Sequence, residues 1–334
     1  MSSTEESRGR GADRPSEIPL RGWRDIAARV FKRLGPDNVS LVAAGVAMYV
    51  LMSVFPGLTA LVSLYGLFAS PSTVVAQMQA FSVVLPPGVW DIFNAQLQEL
   101  VRHSQGTLGV AAGLGIVIAL WSARSAMSAL MTATNIAYAE REKRNFVVQI
   151  LISLAFTLGA IVGFLIMLSL GIGIPVVMKV LGTSAVAQIA ATVARFVLLW
   201  ALTVLGLAVV YRYAPAREHA RWRWVTWGSA IAATLWIAAT ALFAVYVQRF
   251  GSYGKTYGAL GGVIVLTTWF YISSFIIVLG AEINAEMERQ TRKDSTVRGG
   301  APLGERGAYA ADTVGPTAEQ GAQPPAPKDA IAGR

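Results

Sequence analysis

Cysteine is absent from the 334 residues, which excludes disulfides, thiolate metal sites and thiol nucleophiles. Histidine is almost absent: His103 and His219 are the only two, and the topology derived below puts them on opposite sides of a membrane. No H-E-x-x-H, Walker loop, G-x-S-x-G or cluster of metal-binding carboxylates occurs. Hydrolytic metal chemistry needs several converging ligands, so the sequence argues against an enzyme and implies no cofactor and no metal. Charge is scarce as well. Charged residues make up 14% of the chain, against about 25% in an ordinary soluble domain. The first twenty residues carry no apolar core segment, so no cleavable signal peptide is expected.

What the chain has instead is apolar residues, 54% of the total, gathered into long runs. Gly251 to Glu288 is the clearest. It opens with a turn containing Gly254, Tyr257, Gly258, Gly261 and Gly262, runs uncharged from Thr256 to Ala281, and closes on Glu282, Asn284 and Glu286. As a helix, such a run spans the roughly 30 Å hydrocarbon core of a bilayer. Comparable runs cover 39–68, 107–138, 146–174, 185–210 and 224–247. The expectation is an all-α, polytopic integral membrane bundle of six transmembrane helices. The domain plan is a disordered tail over 1–20, an amphipathic helix within 21–38, a transmembrane domain over 39–288, and a disordered tail over 289–334. Within the transmembrane domain, 70–106 reads as interfacial helices on the far side. In the amphipathic helix Trp23, Ile26, Val30, Phe31 and Leu34 oppose Arg24, Asp25, Arg29, Lys32 and Arg33, which suits an anionic leaflet or packing on protein.

Six spans put both termini on one side. With the N-terminus inside, sixteen Lys and Arg flank the inner ends of the spans and four the outer, so the positive-inside rule orients the chain N-in/C-in. That placement accounts for most of the net charge of +9 without a nucleic-acid partner.

Ionisable and helix-breaking residues inside the spans are the candidate site. Arg124 and Glu282 sit at similar depth and suit an ion pair, either a lock between helices or a gate. Asn284 and Glu286 extend the face of Glu282, where helix-end carboxylates are otherwise simply solvated. Arg195 lies near the midplane with no acid at matching depth; backbone carbonyls, a bound anion, or snorkelling to the surface would satisfy it. Pro56 and Gly57 mark a helix break, functional as in transporters or a plain kink. Gly109/Gly113, Gly159/Gly163 and Gly258/Gly262 have G-x-x-x-G spacing for close helix contact.

The segments LVAAGVAMYVLMSVFPGLTALVSLYGLF, WSARSAMSALMTATNIAY and YGKTYGALGGVIVLTTWFYISSFIIVLGAEINAE resemble the YihY/BrkB family of bacterial inner-membrane proteins, formerly labelled ribonuclease BN. The likeness spans roughly 24–288. It implies a six-helix, multi-pass inner-membrane protein with envelope and virulence associations. By motif, Arg124, the Tyr257/Gly258/Gly261 turn and Glu282–Asn284 match the family's segments; Arg195 and the tails do not. The resulting expectation is a transporter of a lipid-like or anionic amphiphilic envelope substrate. Its partners would be membrane lipids, an anionic lipid or an envelope precursor, with no nucleic acid. The alternative is a non-catalytic scaffold in envelope assembly, with a membrane-bound ribonuclease disfavoured.

Overall fold

Pro19 and the Gly35-Pro36 pair bracket the first long helix, α1 (Leu20–Leu34). Its sequence splits into two faces: Ile26, Val30, Asp25 and Arg29 turn inward, while Arg21, Arg24, Phe31 and Lys32 remain exposed. Pro36 has no N–H with which to continue the helix. The chain turns at Asn38, in the left-handed region at φ 50° that asparagine tolerates better than most side chains. The next helix therefore departs at 68° to α1.

That helix is α2 (Val39–Gly66), followed by α3 (Leu108–Ala137), α4 (Phe146–Val180), α5 (Ala185–Tyr213), α6 (Trp222–Arg249) and α7 (Ala259–Glu288). The computed structural model describes residues 3–66, 108–180, 184–249 and 259–319, together with Asn94 and Gln98. The interfacial segment expected over 70–106 thus lies almost wholly outside the described residues, and Tyr257 and Gly258 lie outside them entirely. Among the described residues the only strand-like pairing is one antiparallel bridge, Ala220 to Thr296.

Each long helix packs on its neighbour in sequence, α2 on α3 through to α6 on α7, and α7 returns to pack on α2. The result is a closed circuit of helices with α1 laid against α7. The outer faces of α4 and α5 leave Leu158, Phe164, Leu165, Val193, Phe196 and Val197 exposed. So much exposed apolar surface is stable in lipid and not in water. Phe146–Gly171, Ala185–Tyr213, Trp222–Arg249 and Gly261–Glu288 are long and apolar enough to cross a membrane, and α1 with the first part of α2 is a bent fifth candidate. The hydroxyls along these helices are satisfied internally: Thr157, Thr192, Thr203, Ser229 and Thr267 each donate to the carbonyl four residues back. This is an all-α, multi-helix membrane protein.

Three details depart from the sequence-based expectations. α2 does not break at Pro56 and Gly57; it runs through them to Gly66. α4 likewise continues past Pro175 to Val180. In each case proline costs one backbone hydrogen bond, and the flanking turns still hold the helix. The tails expected to be disordered also carry structure over 3–19 and 289–319. Arg10 donates to the carbonyls of Arg289, Gln290 and Gly315, and so caps the end of α7, where helix carbonyls lack partners. Burial pulls the Arg10 guanidinium down to about 10. Arg306 donates to the carbonyls of Ala301, Lys293, Ala311 and Arg292, folding the C-terminal segment around one side chain. These two arginines are invisible as organisers in a polar, aperiodic stretch, because their partners are backbone atoms.

Candidate functional site: a buried charge cluster and a polar groove

The last turns of α7 carry Glu282, Asn284, Glu286 and Glu288, all fully buried. Helical periodicity sends them to different neighbours. Glu282 and Glu286, one turn apart, face α1. Glu286 accepts from Arg29 Nε, from Arg33 Nη1 at 3.1 Å and from Arg289 Nη1 at 2.6 Å. Arg29 also donates to the Glu286 carbonyl at 2.9 Å. Arg33 lies 3.5 Å from Glu282 and 2.8 Å from Asp37. Three arginines thus face three carboxylates, and the cluster clamps α1 to the end of α7. These carboxylates are not solvated helix ends, as their position in the sequence suggests, because α1 and both tails cover them.

Asn284 faces α6. Its Oδ1 accepts from the Gly228 N–H at 3.0 Å and its Nδ2 donates to the Val225 carbonyl at 3.2 Å. Glu288 faces the loop after α5, where Arg217 Nη2 donates to both its oxygens at 2.8 Å and lies over the Tyr138 ring. Nearby, Asn135 joins two loops, accepting from the Ala216 N–H at 2.7 Å and donating to Glu142 at 3.1 Å. Burial pushes the Glu140 carboxyl up from its ordinary value, against the Tyr309 N–H that donates to it.

Arg124 does not pair with Glu282, whose cation is Arg33. Its guanidinium carbon lies 4.5 Å from the centre of the Trp121 ring, and its buried Nε has no hydrogen-bond partner. It opens instead onto a groove of about 460 Å³ between α2 and α3. One wall is Val42, Gly45, Val46 and Tyr49; the other is Arg124, Ser125, Ser128, Thr132 and neighbouring apolar residues. Spacings of three and four put these polar groups on one face of α3.

Arg195 has a structural partner. Its Nη1 donates to the Gly171 carbonyl on α4 at 3.1 Å. Gly171 is four residues before Pro175, so the proline leaves this carbonyl without its helical N–H. The arginine fills that vacancy, as backbone polar groups in a bilayer require. Arg195→Leu is therefore expected to cost about 1–2 kcal/mol of stability. Most of that cost should vanish in a Pro175→Ala background, where the helix can satisfy Gly171 itself. A double-mutant cycle on thermal unfolding in detergent checks this; equal costs in both backgrounds would refute the vacancy.

Gly261 and Gly262 are buried at the start of α7. Gly57 lies within α2. Of the G-x-x-x-G pairs, Gly159 and Gly163 face open space, so they bring no helices together. Close approaches between the long helices fall at Gly228 and Gly280, where an added Cβ would lie 2.2 Å from Asn284 Oδ1 and 2.3 Å from the Tyr211 hydroxyl.

Nothing in the sequence pattern singles out Arg29 and Arg33. They read as the polar face of an amphipathic helix, and their carboxylate lies 257 and 253 residues away. His219 packs on the Tyr213 ring at 4.9 Å, and burial lowers its pKa. Among the described residues no group of three or more His, Cys, Asp or Glu could hold a metal ion.

Comparison with known proteins supplies the remaining information. The family model for virulence factor BrkB matches residues 30–302. The ribonuclease-like protein YfkH of Bacillus subtilis (strain 168) is 30% identical over 260 residues, 75% of this chain and 90% of YfkH. The UPF0761 membrane protein VV0203 of Vibrio vulnificus (strain YJ016) is 27% identical over 275 residues, 81% of this chain and 85% of the relative. The UPF0761 membrane protein PBPRA3489 of Photobacterium profundum is 27% identical over 278 residues, covering 81% and 83%. No solved structure matches the chain. The expected family is thereby established: the chain belongs to the BrkB (YihY, UPF0761) family and is a multi-pass protein of the bacterial inner membrane.

Proposed function

We propose that this protein binds and moves a lipid-like anion within the inner membrane, with Arg124 as the attracting charge. The observation that carries the reading is a guanidinium within a long apolar helix that has no carboxylate partner among the described residues and opens onto a groove. An uncompensated arginine at that depth costs at least about 2.5 kcal/mol, so such residues face protein, water or a ligand. An anionic head group supplies the missing partner. Arg195 differs in donating through Nη1 to the Gly171 carbonyl, although its Nε is likewise without a partner.

In this reading six helices cross the membrane with both termini inside, and the clamp of Arg29, Arg33 and Arg289 on Glu282 and Glu286 forms the cytoplasmic floor. Arg124 then stands about 20 Å along the axis from the inner end of α3, thirteen residues on. The floor, tied through Asn284 to α6, holds its helices still while the α2–α3 groove remains open on one side. No nucleotide-binding loop occurs in the sequence, so ATP drive would need another subunit; a gradient or a downhill path serves otherwise. A scaffold, with its ion pairs purely architectural, is the competing role.

Native mass spectrometry with lipid analysis, on protein extracted gently from its own membrane, tests the reading. The wild type is expected to retain a specific anionic lipid that Arg124→Gln loses and Arg195→Leu keeps. Bulk-like lipid profiles in all three proteins would remove the Arg124 site and favour the scaffold.

A further inference from the structure

Two of the groove's hydroxyls, Ser125 and Thr132, already have their protons committed. Ser125 Oγ donates to the Trp121 carbonyl and Thr132 Oγ1 to the Ser128 carbonyl, each at 3.1 Å. A hydroxyl so engaged offers only its lone pairs to a visitor. Arg124 offers only donors. Past Thr132 the groove meets an adjoining cavity of about 270 Å³ that Glu140 and Glu142 help to line, where the Glu142 oxygens already accept from Asn135 and Arg144 and Glu140 accepts from the Tyr309 N–H. Along α3 the lining therefore sets donors and positive charge at Arg124 beside hydroxyls at Ser125 and Thr132 that can only accept. A bare phosphate or carboxylate complements only the first of these.

We infer that the groove takes an anionic phospholipid whose head carries hydroxyl donors, as phosphoglycerol does, its phosphate at Arg124 and its hydroxyls directed along Ser125 and Thr132. This rests on the lipid-anion reading above and adds the chemistry of the head. The apolar wall of Val42, Val46 and Tyr49 on α2 lies against the uncharged part of the molecule. Ser125 is in the same helical turn as Arg124, and Thr132 lies about 12 Å farther along the axis. Glycerol hydroxyls therefore meet acceptors immediately beside the phosphate.

Phosphatidylmethanol separates head chemistry from charge, because it has the phosphate of phosphatidylglycerol and no head hydroxyl. The full chain in phosphatidylcholine nanodiscs doped with equal amounts of the two lipids would be ejected and its retained lipids counted by native mass spectrometry. Wild type is expected to retain phosphatidylglycerol over phosphatidylmethanol by about fivefold, the effect of roughly one net hydrogen bond. Ser125→Ala with Thr132→Val should abolish that preference while both anionic lipids still exceed phosphatidylcholine. Arg124→Gln should lose both. Equal retention of the two anionic lipids by wild type would overturn the hydroxyl-donor inference and leave the anion reading standing. Retention of neither above phosphatidylcholine would overturn both. The wild-type comparison decides the matter even if the double variant fails to fold.

Discussion

Glu286→Ala is expected to destabilise the protein by about 3–5 kcal/mol, the usual cost of stranding a buried charge. Glu286 is fully buried and Arg29 beside it nearly so, with side-chain exposures of 0% and 6%. Removing the carboxylate leaves Arg29 without a carboxylate among its hydrogen-bond partners and pushes Arg289 against it. Arg33 suffers less, because Asp37 and Glu282 remain at 2.8 and 3.5 Å. Adding Arg29→Met to Glu286→Ala should therefore recover part of the loss, since an apolar side chain of similar length needs no counter-charge. Detergent-solubilised protein followed by thermal unfolding on size exclusion reads both effects. A wild-type melting temperature for Glu286→Ala would mean that the cluster does not hold α1 to α7.

The second large effect is expected at Gly228, where alanine should cost about 2–4 kcal/mol from overpacking and a stranded buried amide together. The new Cβ would lie 2.2, 2.5 and 2.8 Å from Oδ1, Cγ and Nδ2 of Asn284. Asn284 would have to leave its bonds to the Gly228 N–H and Val225 carbonyl, and it is fully buried. Gly159→Ala is the control, because its Cβ meets nothing within 4 Å. Unfolding of the two variants in increasing SDS should separate them clearly. Equal behaviour would show that Asn284 contributes little to the α6–α7 contact.

These two sites show where sequence reading succeeds and where it stops. Glu282, Asn284 and Glu286 stand out in the sequence, because polar residues at the end of a long apolar run are uncommon. Their partners do not. Charge spacing along α7 can nominate Arg289, three residues from Glu286, but not Arg29 or Arg217. Depth matching proposes Arg124 for Glu282, yet two groups at one depth can lie on helix faces that never meet. Glycine spacing fails at Gly159 and Gly163 for a similar reason. G-x-x-x-G reports a face that permits close approach, whereas Gly228 and Gly280 are single glycines made necessary by Asn284 and Tyr211. Arg195 shows a related limit: backbone carbonyls, a bound anion and snorkelling are all open to it in the sequence, and the Gly171 carbonyl could be assigned only once α5 lay beside α4.

The sequence by itself determined that this is a helical membrane protein of the BrkB family, with no thiol chemistry and few ionisable groups in its spans. Those properties follow from composition and from runs long enough to cross a bilayer, and they depend on neighbouring residues along one chain. Only the tertiary structure decided that the tails wrap the end of α7, that Arg33 rather than Arg124 answers Glu282, and that Arg124 opens onto a groove. Each of these is a question of which helix faces meet across hundreds of residues. Side-chain direction and helix rotation settle such questions, and hydropathy carries no record of either.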